Sequence, residues 1–136
     1  MTHKNRIEDL KKLNLKIEEM GGSEKLKVRK KAGYLNARER IDLFFDKGTF
    51  FEIGKFVTSS NIHDKDKTPA DGKITGYGKV SNRKVAAISN DLTVKGASSS
   101  EMNTKKISFI KKSAEKLGLP IVFFGESSGA RMPDIM

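Results

Sequence analysis

No cysteine occurs among the 136 residues, which excludes disulfides, zinc ribbons and thiol nucleophiles. Histidine occurs only twice, at His3 and His63. Two imidazoles so far apart in sequence do not suggest a histidine metal site or a catalytic triad, and no metal centre is expected. No apolar run approaches the roughly 18 residues of a membrane span, and no signal-peptide core follows Met1. The expected location is the cytoplasm, with no membrane partner. Acidic side chains are outnumbered, 17 against 27 Lys and Arg, for a formal net charge of +10. Aromatics are few, and the 8 Phe sit mostly in runs that look buried while the 2 Tyr are isolated. That pattern disfavours nucleic acid, because RNA-binding modules set aromatics on a basic sheet for base stacking.

What is present is a globular amount of apolar surface. Apolar residues make up 36% of the chain, and with the glycines roughly 45%, near the usual value for folded domains. The positive charge is concentrated. Lys25, Lys27, Arg29, Lys30, Lys31, Arg38 and Arg40 face a single anion, Glu39, over 16 residues. Such a cluster is either a solvated face or a phosphate site.

Ile7, Leu10, Leu13, Ile17 and Met20 recur at helical spacing, and Gly21-Gly22 ends the helix. The basic stretch after it reads as a linker, so residues 1–34 form an N-terminal helical segment apart from the main domain. Asn36 and Glu39 have capping-box spacing ahead of Ile41, Leu43, Phe44 and Phe45. Phe50-Phe51-Glu52-Ile53 reads as a short strand, and residues 58–71 as a polar loop. Two strands over residues 73–80 and 84–88 are joined at Ser81-Asn82-Arg83 as a hairpin. Gly76 and Gly78 lie inside the first of them and indicate close backbone approach rather than a phosphate loop. A small-residue loop leads to a helix over residues 101–117, with Ile107, Ile110, Ala114 and Leu117 on its inner face and Gly118 as its cap. Ile121-Val122-Phe123-Phe124 reads as a buried strand of a parallel sheet.

The order is β-β-loop-α-β-loop. Residues 95–101 and 127–131 form two loops in which backbone amides could serve an oxyanion or a phosphate. Ser127 sits centrally between Gly125 and Gly129, loosely like a nucleophile elbow. No histidine follows it, and a serine hydrolase is disfavoured.

From residue 35 onward the chain resembles the carboxyltransferase subunits of biotin-dependent acyl-CoA carboxylases. Five pieces carry the resemblance in the family's order. They are residues 35–43 (Asn36-Ala37-Arg38-Glu39-Arg40 among them), 48–53, 71–80, 90–96, and Glu126-Ser127-Ser128-Gly129-Ala130-Arg131-Met132. The last is similar to the family's Ser-Gly-Gly-Ala-Arg signature. Two departures stand out: Ser128 replaces a usual glycine, and Ala97 replaces the usual second glycine after Gly96.

The resemblance implies an α/β crotonase-like spiral of β-β-α units. It is incomplete here: residues 35–136 are the first part of an N-terminal carboxyltransferase domain, cut inside the signature loop just as the next helix starts. It also implies transfer of a carboxyl group from carboxybiotin to the α-carbon of an acyl-CoA through an enolate. The thioester oxyanion hole maps by motif onto the backbone amides of Ser128 and Gly129. Gly96, Ala97 and Ala130 are the implied acyl-CoA contacts in the loops, and Arg38 and Arg40 the implied phosphate partners. Carboxybiotin would come from a biotinylated carrier, with its site in a second domain. Biotin carboxylase and carrier subunits, and further copies of the full-length chain, are the implied partners. The isolated chain is expected to be inactive. Alternative readings are a non-catalytic acyl-CoA-binding or assembly piece, or a subunit of a biotin-dependent decarboxylase.

Overall fold

The alternation that spans residues 73–90 breaks once, and the break becomes a tight turn. Ser81 and Asn82 both take left-handed backbone, at φ 47° and 62°, the two-residue geometry that matches strand twist in a hairpin. The carboxylate of Asp46 accepts both turn amides, at 3.0 and 2.8 Å. In the computed structural model, which describes residues 3–132, strands β2 (Lys73–Val80) and β3 (Arg83–Asn90) pair antiparallel from this turn, Val80 opposite Arg83. Strand β1 (Phe51–Glu52) adds antiparallel to β2, and β4 (Ile121–Phe124) adds parallel to β3, for a sheet order β1-β2-β3-β4. Gly76 and Gly78 leave room for close neighbours. A Cβ on Gly76 would lie 2.1 Å from the Phe51 carbonyl oxygen, and one on Gly78 2.4 Å from the Phe45 ring.

The parallel step from β3 to β4 needs a crossover, and α4 (Glu101–Leu117) supplies it. Ser100 and Asn103 form a reciprocal capping box at its start, and Gly118 closes it in left-handed conformation at φ 64°. Strand β3 is buried on both faces. Val85 and Ala87 pack with Ile17, Ile41, Phe45 and Ile74 on one side. Ala86 and Ile88 pack with Ile110 and Ala114 on the other. Full burial of a side chain such as Ile88 contributes about 1.5–3 kcal/mol. Helix α3 (Ala37–Phe44) and the end of α1 (His3–Glu18) therefore lie against one face of the sheet, and α4 against the other.

Four expectations need correction. The basic stretch is not a linker but helix α2 (Ser23–Lys31), with Glu24 in its first turn and Arg29, Lys30 and Lys31 in its last, each placed favourably for the helix dipole. The N-terminal segment is not detached: Ile17 and Met20 join the core, although Ile7, Leu10 and Leu13 stay exposed. Leu117 is exposed, and the inner face of α4 instead carries Asn103 and Lys106 beside Ile110 and Ala114. Strand β4 is parallel as expected but only partly buried, since it is the sheet's edge and Phe123 is 43% exposed. The helix expected after the signature loop falls on residues 133–136, outside the described residues. No helix among the described residues is long and apolar enough to cross a membrane.

Candidate functional site

Two short turns of unusual hand lie beside each other at one end of the sheet. Ala70, Asp71 and Gly72 have φ of 51°, 45° and 69°, and Lys95, Gly96 and Ala97 have φ of 48°, 62° and 51°. Left-handed backbone costs roughly 1–2 kcal/mol for each non-glycine residue, so something must hold these turns. What holds them is a buried polar network. The Lys73 ammonium donates to the Ala97 carbonyl at 2.7 Å. The Asn103 amide nitrogen donates to the carbonyls of Asp71 and Ser98, at 3.1 and 2.8 Å. Lys106 donates to the carbonyls of Ala70 and Lys73, at 2.7 and 2.6 Å.

Asp71 is the centre of the network and is fully buried. Its carboxylate accepts from Arg131 Nη1 at 2.6 Å, from the Asn103 backbone N–H at 3.1 Å, and from the Ser100 hydroxyl. Arg131 Nε also donates to the Ser98 hydroxyl at 3.3 Å. Removing one partner from a buried ion pair typically costs about 3–5 kcal/mol, because the other charge is left stranded. Burial pushes the Lys106 ammonium down to about 8, against the pull of Glu52 and Asp71. It does the same to Lys73, also to about 8.

Arg131 belongs to the signature loop, so this network carries that loop onto the first one. Ser99 and Ala130 form a parallel bridge. The Ser99 amide donates to the Gly129 carbonyl at 2.8 Å, and the Arg131 amide to the Ser99 carbonyl at 2.7 Å. The Ser128 amide donates to the Gly96 carbonyl at 2.9 Å. Gly96 must be glycine here, since a Cβ would lie 2.3 Å from the Ser128 hydroxyl oxygen on a backbone already at positive φ. The two loops that the sequence singled out thus run side by side. Gly96, Ala97, Ser128, Gly129 and Ala130 meet in one place.

Their amides are not equivalent. That of Ser128 is engaged by Gly96, and that of Gly129 donates to the Ser127 hydroxyl at 3.1 Å. The Ala130 amide, on an exposed residue, has no hydrogen-bond partner among the described residues. Nothing lies within 4 Å of where a Gly129 Cβ would stand, so this backbone borders open space. The Ser127 hydroxyl bonds only to backbone, at Ala97, Gly129 and the Gly129 amide. That is not the environment of an activated nucleophile.

Arg38 and Arg40 are not part of this meeting of loops. Arg38 holds Glu52 through two nitrogens, at 2.7 and 3.3 Å. Arg40 and Arg29 both hold Glu126, the residue that opens the signature loop, Arg29 at 2.9 Å. Burial of Glu126 would raise its carboxyl, but the bonds from Arg40 and Arg29 outweigh this and keep it below the ordinary range. The Arg29 guanidinium also sits 5.6 Å from the Tyr34 ring centroid. Sequence reasoning missed the buried set of Asp71, Lys73, Asn103, Lys106 and Arg131. The one available signal was Asn103 and Lys106 on the face that continues Ile110 and Ala114, where helical spacing calls for apolar residues.

The family model described as the carboxyl transferase domain matches residues 28–136. The chain is 39% identical over 132 residues to the methylmalonyl-CoA decarboxylase subunit alpha of Propionigenium modestum, covering 95% of this chain and 26% of that protein. It is 36% identical over 137 residues to the propionyl-CoA carboxylase carboxyltransferase subunit of Haloferax mediterranei, covering 98% and 27%. Among solved structures, it superposes at TM-score 0.91 and 34% identity on transcarboxylase 12S, a hexamer solved with methylmalonyl-coenzyme A and methylmalonic acid bound, covering 98% of this chain and 27% of that one. A single-chain, multi-domain long-chain acyl-CoA carboxylase matches at TM-score 0.89 and 26% identity, covering 99% and 15%. The chain spans about a quarter of the length of the curated relatives it matches.

Proposed function

The chain belongs to the carboxyl transferase domain family, and from that premise we propose that it builds the acyl-CoA side of a carboxyltransferase. The reaction moves a carboxyl group between a biotin carrier and the α-carbon of an acyl-CoA. The observation that carries this reading is the pairing of the two loops through Ser99 and Ala130 beside an open backbone surface at Gly129. Carboxybiotin supplies the carboxyl group when its carrier docks, and its binding falls to a second domain of the complete enzyme.

The work of this chain is to hold a thioester and to receive negative charge on its oxygen as the α-carbon becomes enolate-like. Backbone N–H groups do this without reorganising, and they need no side-chain base. Gly129 is the donor common to both possible pairs. Either pair requires the Gly129 amide to turn from the Ser127 hydroxyl; Ser128 with Gly129 also requires Ser128 to release the Gly96 carbonyl, whereas Gly129 with Ala130 uses a second amide with no partner among the described residues. Gly96 and Ala130 line the approach of the acyl-CoA, and Ala97, fully buried, backs that wall rather than facing the ligand. Ser128 adds a side chain against Gly96, where the resemblance leads one to expect glycine, and narrows that approach. Arg38 and Arg40 can serve as phosphate partners only by leaving Glu52 and Glu126.

The same half-site serves carboxylation and decarboxylation, and a relative of each kind supports the reading. The test is turnover of the assembled enzyme carrying Gly129→Pro, Ser128→Ala or Ser128→Gly, with circular dichroism to confirm the fold. Loss of one oxyanion donor typically costs about 10²- to 10³-fold in rate. Gly129→Pro is expected to lose activity on that scale. Both Ser128 variants are expected to retain it, with Ser128→Gly accepting a wider range of acyl groups. If Ser128→Ala abolishes turnover while Gly129→Pro leaves it intact, the backbone assignment is wrong.

A further inference from the structure

The exposed part of the signature loop is anchored at both ends by ionised side chains. Residues 127–130 are exposed, and the residues on either side of them are tied down. At the entrance Glu126 is held near the surface by Arg29 and Arg40. At the exit Arg131 turns inward, and its side chain, 5% exposed, meets the fully buried Asp71. The Arg131 backbone amide donates to the Ser99 carbonyl at 2.7 Å, while its side chain reaches the Ser98 hydroxyl and the Asp71 carboxylate. Arg131 thus secures the pairing of Ser99 with Ala130 from both its backbone and its side chain.

The two oxygens of the Asp71 carboxylate divide the contacts between them. Oδ2 accepts from the Ser100 hydroxyl and the Asn103 backbone amide, both at the start of α4, and Oδ1 accepts from Arg131 Nη1. Lys73 and Lys106 bond to carbonyls instead, so Arg131 is the one cation that Asp71 bonds among the described residues. Asp71 therefore connects the first turn of α4, a rigid element, to a loop whose backbone is otherwise exposed. It does so from left-handed backbone, at φ 45°. Strained residues of this kind persist where their surroundings fix them, and they cluster at functional sites.

We infer that Asp71 is a positioning residue for the transfer reaction: through Arg131 it holds the Gly129–Ala130 backbone in the place where its amides meet the thioester oxygen. The inference rests on the backbone-amide reading above and adds to it the group that keeps those amides in place. Asp71 is fully buried, so it acts on the loop and not on a ligand. A misplacement of about 1 Å can cost about 10²-fold in rate. The amides matter most once charge has developed on the oxygen, so their displacement lowers turnover more than it weakens substrate binding.

The test is turnover of methylmalonyl-CoA by the assembled enzyme carrying Arg131→Gln, Arg131→Lys, Asp71→Asn, or Asp71→Asn together with Arg131→Gln. Each rate is referred to the folded fraction measured by circular dichroism. Ile110→Val, a loss of packing on the α4 side of the sheet, is the comparison for destabilisation alone. Arg131→Gln is expected to lower kcat about 10²-fold, with KM changed less than about threefold. Asp71→Asn keeps an oxygen for Ser100 and Asn103 but sets an amide against Arg131, and the same loss is expected. The double variant is expected to fall no further than Arg131→Gln, since Asp71 acts through Arg131. Arg131→Lys keeps a cation for Asp71 and is expected to recover about tenfold of the loss. Ile110→Val is expected to keep its kcat. If Arg131→Gln keeps its kcat while Gly129→Pro loses it, the proposal is overturned and the backbone-amide reading stands. Additive losses in the double variant overturn it too, as does an equal fall in Ile110→Val. If Asp71→Asn does not fold, the two Arg131 variants decide, and an equal loss in both overturns the proposal. If Gly129→Pro keeps its activity, the backbone-amide reading falls and the proposal with it.

Discussion

Lys106 places a charge inside the protein where an uncharged group would be easier to bury, and the consequence is a stability that depends on pH. The residue is 7% exposed, and its ammonium donates to two carbonyls of the Ala70–Lys73 segment. Burial lowers its pKa from 10.5 to about 8. Below pH 8 both the folded and the unfolded chain carry the proton, so stability from this group is flat there. Between about 8 and 10.5 the folded chain has released the proton and the unfolded chain has not. The unfolded state then binds more protons, so folding stability rises with pH across that window. The rise is about 3 kcal/mol, at 1.36 kcal/mol per pKa unit. Lys106→Met removes it. The variant also removes the donor from two carbonyls, of which that of Ala70 still accepts from the Lys73 amide, so the loss is that of about one unsatisfied group, about 1–3 kcal/mol. At neutral pH the relief and the loss nearly cancel, and variant and wild type should differ by less than about 2 kcal/mol. By the top of the window the variant should have fallen behind by about 3 kcal/mol. Urea unfolding followed by circular dichroism at several pH values measures this, and taking the difference between the two proteins cancels the titration of groups that do not interact with Lys106. Lys73 does interact with it, so the double variant Lys73→Met/Lys106→Met is compared with Lys73→Met as well. A wild-type-minus-variant difference that stays constant from neutral pH to 10.5 would refute the reasoning.

Gly96→Ala should destabilise the loop pair by several times RT, since its Cβ would meet the Ser128 side chain at 2.3 and 2.9 Å. Part of that loss should return in the double variant Gly96→Ala/Ser128→Gly, and a double-mutant cycle with no coupling would show that the two residues do not touch. The 136-residue chain alone should show no carboxyl transfer, which an assay with free biotin and methylmalonyl-CoA checks. It should also self-associate with rising concentration, because the outer edge of β4 has no strand partner among the described residues and Phe123 is exposed there. Sedimentation that stays monomeric across the accessible range would count against the edge as the cause.

Much of the frame could be read from residue order, because it depends on local rules. The hairpin was marked by two polar residues between alternating runs, and α4 by its apolar spacing and Gly118. The two loops were visible as stretches of small residues. The hand of the turns was not. Only Gly72 and Gly96 advertise it, while Ala70, Asp71, Lys95 and Ala97 take left-handed backbone with side chains that give no warning. The buried polar network was equally hidden, because Asp71, Lys73, Asn103, Lys106 and Arg131 each look like surface residues until partners up to 60 positions away are known. The arginines misled for the same reason. Arg38 and Arg40 look available in sequence, and only the fold brings Glu52 and Glu126 to them.

The clasp on Glu126 also has a meaning in time. Its partners Arg29 and Arg40 lie 97 and 86 residues earlier in the chain. Contacts of such sequence separation close late, after local helices and the hairpin have formed. An interaction made after the folding barrier changes the rate of unfolding and leaves the rate of folding alone. Glu126→Gln should therefore steepen the escape from the native state in stopped-flow experiments while the refolding limb stays where it is. During synthesis, the two guanidinium groups emerge long before their carboxylate. The helices that bear them wait as an unpaired basic surface until residue 126 arrives to fasten the signature loop against them.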